Sequence, residues 1–224
     1  MSVAENIRSF LLSVPSNVKV VAVSKTKPMD FIMEVYNEGH RLFGENKIQE
    51  LTVKSIELPK DIEWHMVGHL QSNKVKYISP FISLIHSVDS LKLLEVINKE
   101  GQKNNRIIDV LLQLYIADED TKFGLNEQEL TDLLSSAGFS SLENIRVKGL
   151  MGMATFSDDE NKIRSEFRSL ARIFKHTKES FFRNEDFFSE LSMGMSADYR
   201  IAIEEGATII RIGSLIFGER NYLT

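Results

Sequence analysis

No cysteine occurs in the 224 residues, which removes disulfides, thiolate metal sites and a cysteine nucleophile from consideration and fits a reducing compartment. Proline and glycine are sparse, at 4 and 12 residues, too few for a fibrous or disordered chain. No apolar run is long enough to cross a bilayer. The N-terminal stretch MSVAENIRSFLLSV also lacks the charged lead, long apolar core and small-residue cleavage site of a secretory signal. A basic surplus is missing too: 27 Lys and Arg stand against 32 Asp and Glu, a net charge of -5. The charges are mixed along the chain, without the basic stripe of a dedicated nucleic-acid binder. What is left, 42% apolar and 26% charged, is the composition of a globular protein expected in the cytoplasm, with neither nucleic acid nor membrane as partner.

Eight short apolar runs follow one another, at residues 18–25, 41–45, 63–68, 84–89, 108–116, 147–153, 188–195 and 208–218. Most are continuous rather than alternating, as strands buried on both faces should be. Helical punctuation separates them. Pro28 stands at a helix start and Gly39 at a stop; Asn126 and Glu129 have capping-box spacing, with Gly138 as the stop. Ser157 and Glu160 repeat that spacing ahead of Phe167, Leu170, Ala171 and Phe174 on one helical face, and Ser196 caps a segment ending at Gly206. Strand and helix in eightfold alternation predict an α/β fold, the (β/α)8 TIM barrel, with a doubly wound open sheet as the alternative. No linker or repeat divides the chain, so residues 1–224 read as a single domain.

A barrel concentrates function at the carboxyl ends of its strands. Lys25, closing VVAVSKTKP, is the sharpest candidate there: an amine partly desolvated beside Val21 and Val23 is nucleophilic and able to form a Schiff base. The competing reading is a lysine that snorkels into water. Ser196, with Gly213 and Ser214 after the last strand, offers a hydroxyl and backbone N–H groups to an anion. Arg211, two residues before Gly213, shares that interior face and needs an acceptor. Asn46 follows a strand directly, and Tyr115 closes another. His65 and His69 are four apart, but a strand and turn between them break helical ligand geometry, so no metal site is expected.

In those motifs the sequence closely resembles the pyridoxal phosphate homeostasis proteins, small relatives of the alanine racemase N-terminal domain, whose barrels are of PLP fold type III. VAVSKTKP, FGENKIQE, WHMVGHLQSNK, IHSVDS, TKFGL, KGLMGM and LSMGMSADYRIAIEEGATIIRIGSLIFG occur in the family's order. The resemblance implies that Lys25 carries pyridoxal 5'-phosphate (PLP) as a Schiff base. It places Ser196, Gly213 and Ser214 around the phosphate, Arg211 against the pyridine nitrogen, Asn46 and His65 near the ring, and Met195 beside the phosphate loop. Tyr115 departs from the asparagine common in the family at that strand end.

An arginine at the pyridine nitrogen weakens the ring as an electron sink. Racemisation also needs acid–base groups on both faces of the α-carbon. The resemblance therefore implies a monomeric carrier in intracellular PLP homeostasis (vitamin B6 storage, buffering or delivery, with PLP-dependent apoenzymes as recipients) and no assigned catalytic residue. A low-rate PLP-dependent amino-acid racemase using Lys25 and Tyr115 is the enzyme alternative. An anion-binding barrel in which Lys25 forms no covalent bond is a third.

Overall fold

A computed structural model describes residues 2–117 and 123–219. Eight parallel strands close on themselves in chain order: β1 (Lys19–Val23), β2 (Leu42–Glu45), β3 (Glu63–Met66), β4 (Leu84–Val88), β5 (Ile108–Gln113), β6 (Ile145–Met151), β7 (Glu190–Ser192) and β8 (Ile209–Ile212). The barrel expected from the alternation is the fold, and the open sheet is excluded because β1 pairs with β8. Seven of the anticipated runs contain a shorter strand, while β6 is as long as its run of 147–153 but begins two residues earlier. The run at 188–195 yields three strand residues, and the run at 208–218 divides into β8 and a short helix.

The helices are α1 (Val3–Leu12), α2 (Met29–Asn37), α3 (Ile48–Glu57), α4 (Leu91–Lys103), α5 (Glu127–Ser135), α6 (Ala137–Ser140), α7 (Glu160–Phe181), α8 (Tyr199–Glu204) and α9 (Ser214–Phe217), with a 3-10 turn at Ser72–Tyr77. The period-2 geometry of the strands sorts their side chains. Val21, Val23, Leu84, Leu111, Met151 and Ile209 form a cluster inside the barrel, while residues such as Ala22, Phe43, Ile85, Val110 and Ile210 join the larger core beneath the helices. In α7, Phe167 and Leu170 are buried and Ala171 and Phe174 pack against them, as the helical spacing requires.

Caps are met unevenly. Asn126 and Glu129 form the capping box of α5, and Pro28 precedes α2. Gly39 follows α2 in the left-handed region at φ 88°. Three expectations are corrected. Asp159, not Ser157, caps α7, accepting from the Asn161 and Lys162 amides. Gly138 does not stop α5, which ends at Ser135; it lies inside α6. Ser196 does not cap α8, whose N-cap is Asp198. At both N-caps a residue nearer the first turn takes the role, and α5 stops early because Ser136 caps the start of α6; sequence spacing alone cannot rank such contenders.

Candidate functional site

At the carboxyl end of the strands lies a cavity of about 710 Å³ whose lining includes Lys25, Asn46, Met195, Ser196, Arg211, Gly213 and Ser214. Seven residues from four stretches of the chain thus meet in one space. Loop residues Met153, Phe156 and Asp158 complete one side. Tyr115 and His65 are not among the lining residues.

Lys25 is half-buried and sits between two anchored neighbours. Ser24, fully buried, donates its hydroxyl to Glu45 Oε1 at 2.6 Å, while its carbonyl accepts from Lys54 Nζ at 2.9 Å. Lys54 also donates to Glu45 Oε1 at 2.8 Å and to Glu50 Oε2 at 3.3 Å. On the other flank the Thr26 amide donates to Glu50 Oε2 at 2.8 Å, and Thr26 holds the left-handed conformation at φ 63°. A non-glycine residue is uncommon there, and the carboxylate fixes it. Burial pushes the Glu45 carboxyl up, against the pull of Lys54 and Ser24, and its Oε2 has no partner among the described residues. Burial works to raise Glu50 as well, but the Thr26 amide and Lys54 outweigh it and hold that carboxyl down. All three charges come from FGENKIQE and the helix it opens.

Across the cavity, Ser196 Oγ accepts from the Gly213 amide at 3.3 Å, and Asp198 Oδ1 accepts from the Met195 amide at 2.5 Å. These bonds tie the loop after β7 to the start of α9, whose first N–H groups have no partner within the helix. Lys27, the second lysine of VVAVSKTKP, donates to the carbonyls of Phe217, Gly218 and Glu219 at 3.0, 3.1 and 2.9 Å. It thereby secures the other end of α9. Asn46 is positioned by a glycine: a Cβ on Gly68 would lie 2.5 Å from Asn46 O, so only glycine lets the two loops approach.

Arg211 is 5% exposed. Its Nη1 donates to Ser192 Oγ at 2.7 Å and its Nη2 to Gly152 O at 3.1 Å. Burial lowers its pKa to about 10, opposed by Asp198, so it is still cationic near neutral pH. Beneath it a polar chain descends through the barrel: Ser192 Oγ lies 3.0 Å from His86 Nδ1, and His86 Nε2 lies 3.0 Å from His65 Nδ1. Burial, with Lys19 adding to it, drives His65 to about 3. Burial, His65 and Arg211 push His86 in the same direction. Both imidazoles are neutral at neutral pH.

His65, expected near a bound ring, does not line this upper cavity. It instead lines the cavity at the opposite end of the barrel, and Val67, two residues on along the chain, reaches the upper one. Of TKFGL, Thr121 and Lys122 lie outside the described residues. Lys27, Glu45, Glu50, Lys54, His86, Ser192 and Asp198 were not singled out from the sequence. All but Lys54 lie inside the quoted motifs, and each acts through another residue rather than by lining the site in its own right.

The family model for the alanine racemase N-terminal domain matches residues 1–221. A protein of Aquifex aeolicus named pyridoxal phosphate homeostasis protein is 41% identical over 206 residues, covering 91% of this chain and 88% of that protein. The structure of PipY from Synechococcus elongatus with PLP bound superposes with a TM-score of 0.88 at 33% identity, covering 97% of this chain and all of that one. An alanine racemase from Bartonella henselae, with covalently bound pyridoxal phosphate, shares the fold at a TM-score of 0.70 and 16% identity, covering 98% of this chain and 60% of that one.

Proposed function

From a chain that belongs to the alanine racemase N-terminal domain family, among the pyridoxal phosphate homeostasis proteins, we propose a carrier that binds pyridoxal 5'-phosphate at Lys25. It stores, buffers or delivers the cofactor without robust catalytic turnover. The observation that carries this reading is the convergence of Lys25, Arg211 and the Ser196, Gly213 and Ser214 group on one cavity.

The donor set fits the group. When bound, pyridoxal phosphate supplies an aldehyde for a primary amine and a phosphate for anion-binding donors. Lys25 offers the amine at a fixed strand end. Ser196, Gly213 and Ser214 offer hydroxyl and backbone donors on the opposite side, with Met195 beside them and Asn46 orienting from β2. Arg211, held by Ser192 and Gly152, presents a cation where acid–base electron withdrawal through a ring nitrogen would need an acid. That arrangement favours holding the cofactor over working with it.

The racemase reading requires a second acid–base group facing Lys25, and Tyr115 does not line the cavity. Delivery to PLP-dependent apoenzymes is supported by apolar side chains left outside at the rim: Phe156 is 92% exposed, with Met153 and Met195 also exposed. We read residues 1–224 as one domain, a cytoplasmic monomer. Among the described residues no helix is long and apolar enough to cross a membrane, and one continuous outer core surrounds the barrel.

The test is borohydride reduction of cofactor-incubated protein followed by peptide mass spectrometry. The expected product is a reduced adduct on Lys25, lost in Lys25→Ala. An unmodified Lys25 peptide would overturn both the carrier and the racemase readings. Incubation of holoprotein with single amino-acid enantiomers separates those two: turnover abolished by Lys25→Ala would defeat the carrier.

A further inference from the structure

The barrel has a second opening. At the amino end of the strands a cavity of about 280 Å³ is lined by residues including Lys19, Glu63, His65, Asp109, Lys148 and Glu190. Several of its charges are already satisfied. Lys19 pairs with Glu190, Glu190 also accepts from Thr208 Oγ1 at 2.9 Å, and Asp109 is engaged at both oxygens by Arg146 at 2.7 and 3.0 Å. The side chains of Lys148 and Glu63 make no hydrogen bond or ion pair among the described residues. They leave one cation and one anion facing the same small space.

His65 supplies the third element. It is 4% exposed, its Nδ1 is committed to His86, and Nε2 forms no hydrogen bond among the described residues. Nε2 is also not sealed within protein, because Glu45 Oε2 alone among the described buried side-chain N and O atoms lacks a partner. It opens on the lower cavity. Its tautomer depends on the direction of the chain above it. Arg211 can only donate, so Ser192 Oγ accepts from Nη1, and in the direction this site requires Ser192 gives its own proton to His86 Nδ1. Neutral His86 then carries its proton on Nε2 and donates to His65 Nδ1, which leaves the proton of neutral His65 on Nε2. A buried donor thus points into a cavity that also holds an ammonium and a carboxylate.

We propose that the amino-end mouth of the barrel is a second binding site, for a small zwitterion of amino-acid type, whose carboxylate accepts from His65 Nε2–H and Lys148 and whose ammonium meets Glu63. An N–H that no group among the described residues accepts from gains a charge-assisted bond when a carboxylate enters the cavity. Hydrogen-bonded chains polarise cooperatively, so occupancy of this mouth is felt at Ser192 and at the Arg211 guanidinium in the upper cavity. The upper cavity needs no ligand for this.

The experiment uses full-length protein freed of cofactor, with glycine and L-alanine as probes and imidazole and guanidinium nitrogens followed by NMR. Saturable millimolar-range shifts of the His65 signals, followed in step by His86 and Arg211, are expected, and Lys148→Met and Glu63→Gln should each weaken them at least tenfold. Both variants alter side chains at the barrel mouth and should keep borohydride-trappable cofactor at Lys25, which separates failure of this site from failure of the upper one. Absence of saturable shifts in the folded wild-type protein, or shifts unchanged in Lys148→Met, would overturn the second site.

Discussion

The ammonium of Lys54, 6% exposed, donates to the carbonyl of Ser24 at 2.9 Å while pairing with Glu45 at 2.8 Å. The backbone that presents Lys25 is therefore held by a buried charge thirty residues away in sequence. Breaking a buried pair by removing one partner leaves an uncompensated charge and costs about 3–5 kcal/mol. Lys54→Met should lower stability by that order in urea unfolding, and cofactor affinity should fall with it. Adding Glu45→Gln should recover part of the stability. A single variant as stable as wild type would show that the pair does not organise the strand end.

Lys27 gives a second, milder test. Its three bonds to the carbonyls of Phe217, Gly218 and Glu219 secure α9, and a cation at a helix C-terminus contributes roughly 0.3–1 kcal/mol. Lys27→Met should change the unfolding midpoint little but speed cofactor release, read by absorbance after dilution. Unchanged release would detach Lys27 from the anion-binding loop.

Gly68→Ala places a methyl 2.5 Å from Asn46 O. Overpacking of this kind costs about 1–3 kcal/mol, and the backbone that yields carries Asn46. Lower stability and weaker cofactor binding are expected together in thermal melts and titrations; an alanine variant indistinguishable from wild type in both would contradict the contact.

Acid should unfold the protein through its two barrel histidines. The folded-state pKa of His65 is lowered by burial to about 3, and His86 moves the same way. Unfolded imidazoles take up protons near 6.5, so between that value and about 3 the unfolded chain binds more protons. Stability is full above the unfolded pKa and is lost as pH falls, with a limiting slope of about 1.4 kcal/mol per pH unit for each histidine. Urea midpoints measured from pH 7 to pH 4 should fall steeply. In His86→Phe the fall should be shallower, and an equally steep fall would remove His86 from the linkage.

Arg211→Ala should weaken cofactor retention less than the double change Ser196→Ala with Ser214→Ala, because charge-assisted contacts to a phosphate anchor a ligand more strongly than one contact to a ring. Equilibrium dialysis measures both. Equal losses would count against that division of roles.

The barrel was legible because continuous apolar runs and helix stops recur eight times, a signal spread over the whole chain. The place of Lys25, Ser196, Gly213 and Ser214 on the upper cavity was legible because each follows a strand, and that of Arg211 because it stands two residues before Gly213, on the inward face of β8. The depth of His65 was not legible: its motif adjoins the mouth, yet its side chain lines the lower cavity while Val67, two residues on, lines the upper one. Lys54 and Glu50 were illegible for another reason. Both lie on α3, where charges ordinarily face water, and nothing local says that Lys54 points inward at the Ser24 carbonyl.

Lys19, Val21, Val23 and Lys25 occupy alternate positions of a single strand and its extension. Lys19 borders the lower opening, Val21 and Val23 fill the interior, and Lys25 borders the upper one. At about 3.3 Å per residue, β1 is a straight rod of roughly 13 Å from Lys19 to Val23, and Lys25 stands just beyond it in the turn that the Lys27 amide closes on the Ser24 carbonyl. A slip of one residue would turn both lysines outward and bring Ala22 and Ser24 inside. Neither end of the molecule can be retuned by sliding this rod without dismantling the other.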